Sequence, residues 1–272
     1  MTPRQRLLLI APGILFLVAF GSFELGRLAS RKEAERRAAA KYNPASPVPS
    51  AHDSTSLIKD LQARHLDKRR FSFSRVIESA TGRKVTAFDI RDPAAAVILE
   101  AIRKASDHAQ QIHSSKNSPL RNLSRINEAS RFFEDTLREQ IDAHPALFCT
   151  IPLTPDGRVQ RTGYPDLRIE HVSSGTVAYL DPKLYAEAHR RSTLRSFYYK
   201  LGSEPSKVTE DAHHLLLGFS HDGSAGLWSF TGWELLDLST LEVGLKAEFQ
   251  ASNRDLYDQI SPLATSQPTG VR

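Results

Sequence analysis

The sequence predicts an α/β (or α+β) fold in which a mixed central β-sheet is flanked by helices, behind an N-terminal single transmembrane helix. Three observations support this prediction. Residues 7–23 are free of charge and mostly apolar, residues 93–143 carry apolar side chains at helical spacing, and the period shortens to two after Pro145. Glycine and proline punctuate the chain beyond that point, as is typical of short strands joined by turns.

The 17 uncharged residues 7–23 are just long enough to cross a bilayer, which needs about 17–25 residues. Residues 1–30 are therefore interpreted as a transmembrane anchor or signal segment. More Lys and Arg follow the apolar run than precede it, which predicts a single-pass protein with a cytoplasmic C-terminal domain. A cleaved signal peptide that exports the chain is the alternative.

Charge and cysteine content limit the function classes. Residues 1–50 hold eight Lys and Arg against three Asp and Glu, whereas residues 51–272 hold 28 of each sign. The net charge of the folded part therefore does not establish long-range attraction to a polyanion, and any nucleic-acid surface must be a local patch. The single cysteine, Cys149, excludes an intrachain disulfide and a thiolate metal cluster, and we expect it to be buried.

Residues 31–54 are predicted to form a charged stalk and a Pro-rich linker, and residues 55–117 a helical N-terminal part of the core. The last helix of that part should begin at Asp92-Pro93, because aspartate caps a helix and proline suits its first turn. Residues 118–260 are predicted to form an α/β core, and residues 261–272 a disordered tail.

One helix is expected from about Ser118 to Ala143, since its apolar residues share one face: Leu123, Ile126, Phe133, Leu137 and Ile141. Glu134 falls about 80° around the helix from Ile126, at the edge of the buried stripe. It is the acid of this helix that could face a site from the flank.

A predicted β-hairpin carries the strongest chemical signal. Asp166 lies on its first strand, the turn falls at Ser173–Gly175, and Asp181 and Lys183 share one face of the return strand. A turn centred on residues 173 and 174 pairs positions whose numbers sum to 347, which sets Asp166 opposite Asp181 at about 5 Å between Cβ atoms. Two facing carboxylates repel each other unless a cation lies between them, so the pair predicts a divalent-cation site beside Lys183.

Pro165-Asp166, fourteen residues, and then Asp181-Pro182-Lys183 resemble the PD-(D/E)XK motif of the restriction-endonuclease-like nucleases. The resemblance covers about residues 118–230, and Glu134 matches the helix position where the family often carries a further metal-binding acid. Pro182 departs from the pattern, because the middle position is usually apolar and compatible with a strand. Proline is confined to strand edges and bulges.

The resemblance implies a restriction-endonuclease-like sheet and Mg²⁺-dependent hydrolysis of phosphodiester bonds in nucleic acid, with DNA expected. Asp166, Asp181 and Glu134 would hold Mg²⁺, with Mn²⁺ as a possible substitute. Lys183 would act beside them as the third catalytic residue, with Asp166 and Asp181. The alternative is a catalytically inactive nuclease-fold binding or scaffold module at the membrane.

Two downstream segments add candidates. Residues 192–200 are predicted to form a helix whose Arg195, Tyr198 and Tyr199 could contact nucleic acid or pack on the sheet. A hydrolase built on Asp211 and His213 is a third interpretation. Because His213 and His214 are adjacent on a predicted strand, they should face opposite sides and not share a metal.

Overall fold

The computed structural model describes residues 54–201 and 206–246, together with residues 248, 250, 252 and 254. The apolar run at residues 7–23, most of the stalk and linker, and the tail at 261–272 lie outside the described residues. Within the described ranges, no helix combines the length and the apolar character needed to cross a bilayer.

The chain divides into two compact units. The smaller unit comprises residues 48–71 and 242–272. Its described part holds helix α1 (Ser54–Ala63) and a short sheet in which β1 (Arg70–Ser72) pairs with β8 (Glu242–Gly244).

The larger unit is built on a mixed sheet of six strands. Its elements in chain order are α2 (Phe73–Thr81), β2 (Val85–Thr86), α3 (Pro93–Ser114), α4 (Ser130–Asp142), β3 (Leu147–Thr150), β4 (Leu167–His171), β5 (Thr176–Ala186), β6 (Ala212–His221) and β7 (Phe230–Asp237). The strand order is β2-β6-β5-β4-β3, and β7 also pairs with β6. Strand β6 runs parallel to β5 and β2, and the other pairs are antiparallel. The predicted mixed α/β sheet is confirmed.

Helices α3 and α4 cover one face of this sheet. As predicted, α3 begins after Asp92, whose carboxylate accepts a hydrogen bond of 2.9 Å from the backbone of Ala95. The apolar stripes of both helices bury their side chains in one core with the alternate residues of β4, β5 and β6. Cys149 on β3 is buried in the same core, as expected.

The opposite face carries aromatic side chains. Phe73, at the start of α2, is fully buried and packs edge-on against Tyr164 and His214, with ring centroids 5.6 and 5.8 Å apart. Helices therefore lie on both faces of the sheet, as the sequence predicts.

The predicted helix from Ser118 to Ala143 is too long. The α-helix covers only Ser130–Asp142, after two 3₁₀ turns at Pro119–Asn122 and Ile126–Ala129. Between the turns the backbone of Leu123 is extended, and its carbonyl accepts a hydrogen bond from the Trp228 indole. The Leu123 carbonyl therefore accepts a tertiary hydrogen bond in place of the helical one, and the helix begins later than predicted.

The prediction of a helix at residues 192–200 is also wrong. A 3₁₀ turn at Glu187–His189 is followed by irregular backbone up to residue 201. The rings of Phe197 and Tyr199 both pack on Phe73, at centroid distances of 5.4 and 6.4 Å. Packing of alternate aromatic residues favours extended chain over a helix, and intrinsic propensity is too weak to oppose it.

Candidate active site

The β4–β5 hairpin has the predicted register. Leu167 pairs with Leu180 and His171 with Thr176, so the position numbers of each pair sum to 347 as predicted. Asp166 precedes the first residue of β4, and Asp181 follows the partner of that residue on β5. The hairpin therefore brings the two acids to the same end of the β4 ladder.

Both carboxylates converge on the Lys183 ammonium. Its Nζ lies 2.6 Å from Oδ2 of Asp181 and 3.4 Å from Oδ2 of Asp166. It also donates to the carbonyl oxygen of Pro182 at 3.3 Å. The side chains of Asp181, Asp166 and Lys183 are 2%, 12% and 31% exposed, so the acids are sheltered while the lysine reaches the surface.

Burial and mutual repulsion set the protonation of this cluster. Burial raises the pKa of Asp181 well above its usual range; Lys183 opposes the shift and Asp166 adds to it. Burial alone would lower the pKa of Lys183, but Asp181 and Asp166 together raise it above its ordinary value. Without a metal ion, Lys183 is therefore the positive charge that compensates the acid pair.

Pro182 does not interrupt the strand. Strand β5 keeps a continuous parallel register with β6 through Asp181↔Leu216, Pro182↔Leu217 and Lys183↔Gly218. Because β4 starts at the partner of Leu180, the described strands flank β5 at Pro182 on the β6 side only. The proline therefore occupies a local strand edge, where a missing N–H is tolerated.

The residues present fit a hard divalent cation. Two carboxylates and the Pro182 carbonyl already surround one positive charge, and oxygen ligands of this kind suit Mg²⁺. Oδ2 of Asp181 is buried and forms no well-aligned hydrogen bond among the described residues, in spite of its short ion-pair distance to Lys183. This oxygen already faces a cation, the Lys183 ammonium, so its position suits a positively charged ligand.

Glu134 lies near this site but outside its innermost group. Among the described residues, no set of three or more His, Cys, Asp or Glu side chains is gathered closely enough to hold a metal. The Glu134 carboxylate instead lies 3.9 Å from Arg161. Burial raises its pKa, Asp166 raises it further, and Arg161 and Lys183 lower it, so Glu134 is within the electrostatic field of the site. Its role as a metal ligand stays a prediction.

A second lysine, which sequence reasoning missed, lies close to the acids. Lys207 is only 3% exposed and donates to the carbonyl oxygen of Gln160 at 3.1 Å. Burial lowers its pKa, while Asp166, Asp181 and Glu134 act in the opposite direction. No sequence pattern predicts that Lys207 lies near the acids, because the chain that connects β5 to β6 brings it there.

A buried ion pair holds that returning chain against β4. Arg168 donates two hydrogen bonds to Glu210, of 2.6 and 3.0 Å, and a third of 2.8 Å to Glu170. Bidentate pairing of this kind fixes geometry as well as charge. The Arg168–Glu210 ion pair thus helps to position Lys207, which lies three residues before Glu210.

The predicted nucleic-acid contacts separate into two groups. Arg195 and Tyr198 are exposed, and the guanidinium carbon lies 4.9 Å from the centre of the tyrosine ring. Tyr199 is half-buried; its ring packs on Phe73 and its hydroxyl donates to Ser206 at 3.2 Å. Tyr199 thus has the packing role that the sequence left open.

The Asp211 and His213 side chains have structural contacts. The Asp211 carboxylate accepts a hydrogen bond from the backbone of Lys84, and Nδ1 of His213 bonds the carbonyl of Thr86. They join β2 to β6, whereas His214 faces the other side of the sheet towards Tyr164. The opposite orientation of the two histidines is as predicted, and these contacts favour no second hydrolase site.

Comparison with known proteins shows the family to which this chain belongs. The profile of the Type II restriction enzyme MjaV family matches residues 66–260, a range that contains both acids and Lys183. The type II restriction enzyme MjaV of Methanocaldococcus jannaschii is 28% identical over 198 residues, which cover 69% of this chain and 85% of that enzyme. The chain therefore belongs to the MjaV family of type II restriction enzymes, and it is a nuclease of the PD-(D/E)XK class that hydrolyses phosphodiester bonds.

Proposed function

We propose that this protein is a Mg²⁺-dependent DNA endonuclease whose catalytic residues are Asp166, Asp181 and Lys183. The observation that carries the proposal is the convergence of both carboxylates on the ammonium of Lys183, at 3.4 and 2.6 Å. The similarity to a type II restriction enzyme supports DNA as the substrate class. The proposed site lies inside the matched range.

Asp166 and Asp181 would hold the metal, with the Pro182 carbonyl as a further oxygen ligand. Bound there, Mg²⁺ would lower the pKa of a coordinated water and neutralise charge on the phosphodiester oxygens. Glu134 would complete the metal site from the flank, since its carboxylate lies within the electrostatic field of Asp166 and Lys183. Mn²⁺ has similar ligand preferences and is expected to replace Mg²⁺.

Lys183 contributes a fixed positive charge at the same place. Because its side chain is more exposed than either acid, its ammonium can reach a bound phosphate or the attacking water. A charge held beside the reacting phosphorus stabilises the negative charge that develops in the transition state. The lysine needs no proton exchange for this role, since the two acids keep it protonated.

The exposed chain that follows β5 supplies a DNA-contacting surface. Arg190 is already paired with Glu234, whereas Arg191, Arg195 and Lys200 are exposed. We propose that Arg195 and Tyr198 contact the DNA backbone or an unpaired base. The patch is local, which agrees with the neutral charge of residues 51–272.

A cleavage assay tests this function. The full chain is incubated with supercoiled plasmid and, separately, with an RNA of similar length, in Mg²⁺, Mn²⁺, Ca²⁺ or EDTA. We expect nicked or linear plasmid with Mg²⁺ and Mn²⁺, and none with EDTA. Cleavage that persists in EDTA would contradict the metal requirement, and preferential loss of the RNA would contradict DNA as the substrate.

We also propose that residues 7–23 tether the nuclease to a membrane with its C-terminal domain in the cytoplasm. The proposal rests on the uncharged run and on the basic residues that follow it. The family match leaves residues 1–65 outside its range, so this proposal is independent of the nuclease assignment. Membrane fractionation should recover the intact chain with the bilayer; a shortened soluble form outside the cytoplasm would favour the signal peptide.

A further inference from the structure

A buried tyrosine–histidine pair lies next to the first acid of the site. The hydroxyl of Tyr164 is 2.7 Å from Nδ1 of His214, and their rings stack at a centroid distance of 5.8 Å with 18° between the planes. Tyr164 is 8% exposed and His214 is fully buried. Tyr164 precedes Asp166 by two residues, so this contact anchors the chain immediately before the acid.

The sheet itself does not fix Asp166. Strand β4 starts at Leu167, so Asp166 lies just before the first pair of the described β4–β5 ladder. Asp181, by contrast, lies within β5 and pairs with Leu216 of β6. One acid is therefore held by a strand, whereas the other depends on what anchors the chain that enters β4.

His214 ties that entering chain to the strand beside Asp181. It lies on β6 opposite Tyr179 of β5, and Asp181 follows Tyr179 by two residues on the same face of β5. The Tyr164–His214 bond thus connects the approach to the first acid with the sheet position next to the second acid.

The surrounding rings limit the rotation of both partners. Phe73 packs edge-on against each of them, and Tyr179 packs against His214 at a centroid distance of 5.2 Å. Phe197 lies 5.4 Å from Tyr164. A side chain enclosed by rings on several sides has few rotamers to choose from, so the hydrogen bond has one geometry.

The pair carries a cost that packing alone does not explain. Nε2 of His214 is buried and has no hydrogen-bond partner among the described residues. Leaving a buried polar atom without a partner is unfavourable, and an apolar ring in the same place would avoid that cost. Burial lowers the pKa of His214 to about 3, with His213 acting in the same direction, so the ring is neutral and holds a single N–H.

We infer that Tyr164 and His214 form a positioning pair that holds the Asp166 carboxylate where a divalent cation can be shared with Asp181. The inference rests on the proposed function of Asp166 as a metal ligand. Neither residue touches the metal in this scheme; both act through the backbone that leads from Tyr164 to Asp166.

The test is Mn²⁺ affinity of the full chain without DNA, measured by calorimetry. Tyr164→Phe keeps the ring and removes the hydroxyl, and it should weaken Mn²⁺ binding by about tenfold. Tyr199→Phe is the matched control, because that hydroxyl belongs to the same ring cluster but bonds Ser206. It should leave the Mn²⁺ affinity unchanged, and thermal unfolding of both variants verifies that they are folded.

A thermodynamic cycle separates positioning from general destabilisation. In an Asp166→Asn background, Tyr164→Phe should cause no further loss of Mn²⁺ affinity, because the group that it positions no longer binds metal. His214→Phe removes the other end of the same bond, so it should match Tyr164→Phe, and the double variant should be no weaker than either.

Three results would overturn the inference. The first is equal Mn²⁺ affinity in Tyr164→Phe and the parent; the second is an equal loss in Tyr199→Phe; the third is an undiminished loss in the Asp166→Asn background. A parent chain that binds no divalent cation would instead overturn the proposed metal site, and this inference with it.

Discussion

Asp181→Asn should make the metal-free protein more stable and the enzyme inactive. Burial raises the pKa of Asp181 from 3.8 to about 7; Lys183 opposes this and Asp166 adds to it. Because the folded pKa lies above the unfolded one, the folded chain binds this proton more tightly. The resulting stabilisation is complete below about pH 4 and is lost as the pH rises through about 7, so the charged carboxylate is a burden at pH 8.

The size of this burden follows from the shift. At 1.36 kcal/mol per pKa unit, a rise from 3.8 to about 7 sets a ceiling of about 4 kcal/mol. The variant recovers less, because Lys183 loses its 2.6 Å partner while it keeps Asp166 at 3.4 Å. We expect a gain of about 1–3 kcal/mol in EDTA near pH 8. Turnover should fall at least a hundredfold, which corresponds to about 2.7 kcal/mol.

Urea unfolding in EDTA at two pH values measures the stability gain, with Asp60→Asn as the control for an exposed carboxylate. The advantage of Asp181→Asn should be largest near pH 8 and shrink towards pH 4. Added Mg²⁺ should stabilise the parent more than the variant, since only the parent keeps both acids. A variant that is less stable than the parent near pH 8 in EDTA would refute this reasoning and identify the Asp181–Lys183 contact as a structural salt bridge.

Three further predictions concern single side chains. Lys183→Ala should reduce single-turnover cleavage by about a hundredfold and leave Mn²⁺ binding as tight as before or tighter; loss of metal binding would contradict its role. Lys207→Met should tighten Mn²⁺ binding several-fold in calorimetry, because a buried cation near the acids disappears, whereas the exposed Lys116→Met should not. Burial lowers the pKa of His113 to about 4, so the unfolded chain takes up its proton first and stability should fall by about 2–3 kcal/mol as the pH drops from about 6.5 to 4. His113→Gln should lack that part of the decline in urea unfolding, and parallel curves for parent and variant would contradict it.

The hairpin could be predicted because its information is local. Alternation determines which residues share a face of β5, and a short turn determines the register of the hairpin. Position numbers alone therefore predict that Asp166, Asp181 and Lys183 lie close together, as they do in the structure. The N-cap at Asp92 is equally local, because its carboxylate accepts a hydrogen bond from a backbone N–H only three residues away.

The remainder depends on contacts between distant parts of the chain. The bond from Tyr164 to His214 spans 50 positions, and the contact from Gln160 to Lys207 spans 47. The chain from β5 to β6 resembles a helix in its local propensities. Its Phe197 and Tyr199 rings nevertheless pack against Phe73, which is distant in sequence. Neither effect leaves a periodic pattern in the sequence, because each is decided by which surfaces meet after the sheet has formed.

Plasmid cleavage by acid-to-amide variants tests the central claim most directly. The sequence contains a second Pro-Asp pair, Pro155-Asp156, whose aspartate is exposed in a turn outside the β4–β5 hairpin and so provides a matched control. In Mg²⁺, Asp166→Asn and Asp181→Asn should each lose at least a hundredfold in cleavage rate, whereas Asp156→Asn should cleave like the parent. Metal-dependent cleavage that survives in both Asp166→Asn and Asp181→Asn would contradict the assignment of catalysis to this hairpin.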